Sequence, residues 1–128
     1  MDGGVTLFGT AVSDLQSNVA VSGDNVSGTL AYTEDYTGFS SDPTLQEGNY
    51  IALQWSAPAA GITSVKVGLD PSAIGMDLVE TINDPDHNGV FRVTSTSQKF
   101  KIVQSDGTHT KTQVFNLSGL TLEDKVQG

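Results

Sequence analysis

A chain of 128 residues with 37% apolar and 16% charged side chains is long enough for one domain with its own core, and its composition is neither that of a disordered tail nor that of a helix bundle. The net charge of −9 disfavours nucleic acid and anionic membrane surfaces as partners. No apolar run nears the ~20 residues of a membrane helix, and the lack of cysteine excludes disulfides, thiolate metal sites and cysteine nucleophiles.

The opening MDGGVTLFG has neither a basic start nor an unbroken apolar stretch, so it does not read as a secretion signal. Residues 1–4 are expected to be a flexible start, 5–124 one domain and 125–128 a tail. Period-two alternation then dominates. NVAVS (18–22) and NVSGTLAY (25–32) read as strands joined by a tight turn at Gly23-Asp24. YIALQW (50–55) sets Ile51, Leu53 and Trp55 on one face and Tyr50, Ala52 and Gln54 on the other. SVKVGL (64–69) alternates in the same way. DPSAIGMDLVETI (70–82) opens like a helix N-terminus, but Gly75 interrupts it, and a turn followed by a strand over 77–82 fits better. GVFRVTS (89–95), KFKIVQ (99–104) and KTQVFNL (111–117) complete the strands, with prolines and glycines between them. About seven or eight short strands at this spacing predict an all-β fold, a single antiparallel β-sandwich of immunoglobulin-like or jelly-roll-like type.

INDPDHNGVFRV (82–93) has Asp84, Asp86 and Asn88 alternating as in a calcium loop, with Gly89 after them. The twelfth position, which needs a bidentate Glu, is Ser95, and the flanks alternate like strands rather than helices. The better reading is a hairpin-like connection in which Pro85 fixes φ, Asp84 caps the turn and Asn88-Gly89 supplies positive φ. Ser105, Asp106 and His109 share one turn, where a held nucleophile–base–acid geometry is improbable, and His87 and His109 make a poor metal pair. No two of the carboxylates stand apart as a glycosidase pair, and no glycine-rich loop opens a helix to cradle phosphate. The residues call for no enzyme activity, cofactor or metal.

Two stretches are candidates for contact. Residues 33–48 form the longest non-periodic segment and carry Tyr36, Phe39 and four acids; they either bury their own rings, meet another subunit or bind sugar. Lys99 and Lys101 share one strand face, opposite Phe100 and Ile102, either as a solvated face or as a basic strip for the acidic first half of a neighbouring copy. That half, residues 1–64, has seven acids and no Lys or Arg.

The phrases TLFGTAVSDLQSNVAVSGDNVSGTL, YTGFSSDPTLQEGNYIALQW, SVKVGLDPS, INDPDHNGVFRVTSTSQKFKIV and NLSGLTLED together resemble small virion proteins of phages and prophages of Gram-positive bacteria, described as head fibre or head decoration proteins. The resemblance runs over residues 5 to 124 and contains no catalytic signature. It implies a structural protein made in the bacterial cytoplasm and carried on the virion, with the major capsid protein and further copies of itself as partners, a homotrimer being one arrangement. Without a heptad, trimerisation would fall to packed sheets or to the 33–48 loop. A carbohydrate- or cell-surface-binding extracellular module of immunoglobulin type, for which a host surface glycan would be the partner, is the alternative.

Overall fold

The computed structural model describes residues 4–12, 15–16, 18–30, 32–33, 48–70 and 78–123. Its elements are β1 (Leu7–Gly9), β2 (Ala11–Val12), β3 (Leu15–Gln16), β4 (Asn18–Ser22), β5 (Asn25–Leu30), β6 (Tyr32–Thr33), β7 (Gly48–Trp55), β8 (Ser64–Asp70), β9 (Val79–Glu80), β10 (Asn88–Val93), β11 (Lys99–Ser105) and β12 (Thr110–Leu122). Among the described residues the fold is all-β, with no helix.

Ten of the twelve described strands form two packed sheets, and β2 and β3 pair separately with each other. In the smaller one, β7 lies between β10 on one edge and both β1 and β6 on the other, because β1 pairs with Leu53–Trp55 and β6 with Gly48–Asn49. The larger sheet has the order β4-β5-β12-β11-β8-β9. The chain passes repeatedly between them: β6 and β7 are in the smaller sheet, β8 and β9 in the larger, β10 in the smaller again, and β11 and β12 in the larger.

Alternation explains why these segments pair. In β11, Phe100, Ile102 and Gln104 turn inward while Lys99, Lys101, Val103 and Ser105 turn outward. The inward rows of both sheets meet in one cluster that includes Ile51, Leu53, Trp55, Val67, Phe100, Ile102, Phe115 and Leu117. Phe100 is its aromatic centre, 5.0 Å from Phe91 edge-on and 6.4 and 6.3 Å from Trp55 and Phe115. Each such side chain removed from water contributes about 1.5–3 kcal/mol.

Two side-chain amides tie the sheets at opposite ends. Asn49 of β7 donates to the carbonyls of Leu30 (3.3 Å) and Glu123 (2.9 Å), at the end of β5 and just past β12. At the other end, Gln113 of β12 accepts from Val5 N–H and donates to Val5 O, both at 3.0 Å, so its amide acts as a short piece of extra strand. Laterally, β1 closes against β4. A Cβ at Gly9 would lie 2.7 Å from both Val19 Cγ2 and Val19 O, so the approach requires glycine.

The Gly23-Asp24 turn is present between β4 and β5. Gly23 has φ 58° while Asp24 does not enter the left-handed region, the φ pattern of a type II′ hairpin. Other expectations are corrected. The sheets are not wholly antiparallel, since β5 and β12 run parallel. The 25–32 segment divides: β5 ends at Leu30, and Tyr32 already pairs with β7 in the other sheet. The last strand runs past residue 117 to Leu122, because Ser118-Gly119 is a bulge rather than a stop. There a Cβ on Gly119 would come within 3.0 Å of Val26 O, and glycine lets β5 approach. Of the strand expected over 77–82, residues 79–80 form β9 and residue 77 lies outside the described residues.

Candidate interaction surfaces

The outer face of the larger sheet is mostly polar. Register places Lys99 beside Asn116 and Asp70, Lys101 beside Val114 and Gly68, and Val103 beside Thr112 and Lys66. Asn25, Ser27 and Thr29 extend it along β5. Lys101 forms an ion pair with Asp70, and Lys99 Nζ donates to Asn116 Oδ1 at 3.0 Å. Asn116 in turn donates to Asn25 Oδ1 at 3.3 Å. Both lysines therefore lie along the sheet with partners from neighbouring strands. Such exposed pairs contribute at most about 1 kcal/mol and chiefly fix side-chain direction. Val114, 40% exposed, stands near the middle of this face. At the β8 edge Leu78 covers Gly68, where a Cβ would meet Leu78 Cδ2 at 2.9 Å. Glu80 binds the same edge. Burial alone would raise its pKa, but hydrogen bonds from the Ser64 hydroxyl and the N–H groups of Val65, Ile82 and Thr81 hold it below its ordinary value.

The two turns singled out in the sequence are built from their own side chains. In residues 81–88, Asp84 N–H donates to Thr81 O (2.9 Å) and Asp86 N–H to Asp84 Oδ1 (3.0 Å), an Asx turn. The positive φ belongs to His87, at 52°, and not to Asn88-Gly89, which already lie in β10. The segment is also not a hairpin: it carries the chain from β9 in the larger sheet to β10 in the smaller. His87 O accepts from Trp55 N–H at 2.8 Å, fastening the loop to the end of β7. Among the described residues, no three His, Cys, Asp or Glu side chains gather as metal ligands.

In the β11–β12 turn, Asp106 Oδ1 accepts from the N–H groups of Thr108 (2.8 Å) and His109 (2.6 Å), and Ser105 Oγ accepts from Gly107 N–H (3.1 Å). Backbone hydrogen bonds from His109 and Thr108 lower the Asp106 pKa to about 2. Hydroxyl and carboxylate are thus both occupied in shaping the turn.

The outer face of the smaller sheet differs. Tyr50, Ala52 and Val90 point away from the core yet are buried, Tyr50 to 2% exposure. After β1, Thr10 N–H still bonds to Ala52 O, and the chain then crosses this face so that β2 and β3 lie against β7 and β2 against β10. This third layer stops short of one row. Phe8 of β1, Gln54 of β7 and Asn88 of β10 are cross-strand neighbours beyond its edge. Phe8 is 46% exposed, the most exposed large apolar side chain among the described residues.

Of the residues expected to make contacts, Lys99 and Lys101 fall on the open face described above, while Tyr36 and Phe39 lie outside the described residues. The Phe8 row was not anticipated. Its signal in the sequence was present, since Phe8 alternates with Leu7 and Gln54 with Trp55, but three separate strands had to be put in register to bring it together. Comparisons with protein-family models, with curated proteins and with solved structures each returned no match.

Proposed function

We propose that this chain is a structural protein of a phage virion, a non-enzymatic head fibre or decoration protein held on the capsid surface. The observation that supports this reading best is the open face of the larger sheet. Its Lys99 and Lys101 have partners within the sheet, and Val114, 40% exposed, stands among Thr, Ser and Asn side chains. A surface of this kind suits a broad contact made by shape and many hydrogen bonds. The contact residues in this reading include Lys99 and Lys101, with the major capsid protein or another copy of the chain opposite.

The strand order favours the immunoglobulin-like form of the sandwich over the jelly roll. The smaller sheet reads β1-β7-β10 and the larger β9-β8-β11-β12-β5-β4, with β5 running parallel to the last strand, β12. With no cysteine, such a domain holds together without disulfides, and its folding does not depend on thiol redox state. Gold-labelled antibody against this chain, applied to intact phage particles, tests the assignment. Label on heads is expected; label confined to tails, or no label on particles containing the gene, would remove it.

A further inference from the structure

We propose that the row Phe8, Gln54 and Asn88 is a binding ledge for a neutral sugar ring. This is independent of where the protein sits on a particle. An exposed phenyl ring offers an apolar face for the C–H side of a pyranose. Beside it stand two amides, each with an oxygen that accepts and an NH2 that donates, matching sugar hydroxyls that do both. Neither Gln54 nor Asn88 has a side-chain hydrogen bond among the described residues, so both amides are available to a ligand. With strands about 4.8 Å apart, the row spans about 10 Å, the width of one ring with its hydroxyls.

The surroundings make the row a ledge. On one side the third layer covers Ala52 and Val90, whereas Gln54 is exposed and Asn88 half-buried. At the other end the 81–88 loop is held by its Asx turn and by the Trp55–His87 hydrogen bond, and pairing with β7 holds the Asn88 backbone beside Gln54. Charge selects the ligand class. Asp86 is exposed two residues from Asn88, and the chain carries −9, which repels anionic polymers.

The test is a 1H–15N titration of the purified chain with neutral hexasaccharides of glucose and of N-acetylglucosamine, and with a galacturonate hexamer as the anionic control. Saturable shifts are expected at residues 7–9, 53–55 and 88–89 with a neutral sugar and none with galacturonate. Phe8→Ala should weaken binding about tenfold and Phe8→Trp should preserve it. Because Gln54 is exposed, Gln54→Ala supplies the same test should Phe8→Ala alter the spectrum globally. No saturable shift with either neutral sugar, shifts unchanged in both alanine variants, or an equal response to galacturonate would overturn the proposal.

Discussion

The two sheets of this protein have opposite outer faces. On the larger sheet the outward row of β11 and β12 is Lys99, Lys101, Val103, Asn116, Val114 and Thr112, all exposed or half-buried. On the smaller sheet the outward row of β7 and β10 runs from half-buried Arg92 through Tyr50, Ala52 and Val90, all three buried, to the exposed Phe8 end. Strand alternation says on which side a residue lies, but the neighbour across that side decides whether it is core or surface. Here burial extends from the core between the sheets to Tyr50, Ala52 and Val90 on the outer side of the smaller sheet, where β2 and β3 lie against β7.

The contrast is sharpest under substitution. Tyr50→Ala should cost about 3–5 kcal/mol in urea unfolding, as for a core aromatic, whereas Thr112→Ala on the open face should stay within about 0.5 kcal/mol. Similar costs at the two positions would break the distinction. Gly9→Ala should cost about 1–3 kcal/mol, because the added methyl meets Val19 and displaces β1, from which the covering layer continues. A neutral result would show that β1 and β4 do not need their close approach. Between the sheets, Gln104 is 1% exposed and its Nε2 has no hydrogen-bond partner among the described residues. Gln104→Leu is therefore expected to stabilise by about 1 kcal/mol, read from the same unfolding curves; a loss would reveal a bond made by that amide.

The smallest effect belongs to the turn at the end of the open sheet. Asp106 has a folded pKa of about 2 against an ordinary 3.8, so its contribution to stability is fully present above about 3.8 and is lost as pH falls through about 2. Carboxyl-carbon NMR titration should show that midpoint, and Asp106→Asn should remove this part of the acid dependence. A midpoint at the ordinary value would mean that the turn is not closed by its N–H groups.

The all-β character and most inward-facing residues were legible in the alternation of YIALQW, SVKVGL and KFKIVQ. The burial of Tyr50 and Ala52 was not, because alternation sets them on the outward face, and β2 and β3, which lie against β7, carry too little pattern in their four residues to read as strands. The parallel β5/β12 pair was likewise hidden: Gly119 looks like a stop, and only the approach of Val26 explains it as a bulge. INDPDHNGVFRV was readable as a turn, but His87 takes the positive φ that Asn88-Gly89 seemed made to supply, which leaves Asn88 in a strand beside Gln54. Residue chemistry identified the polar row of Lys99 and Lys101; the ledge at Phe8 required the third dimension.

Cryo-electron microscopy of the whole virion tests the central claim most directly. The account predicts the two-sheet density on the outer surface of the head, with the face bearing Lys99, Lys101 and Val114 turned toward the capsid or a neighbouring copy. Heads without that density, or docking through the covered face of the smaller sheet, would contradict it.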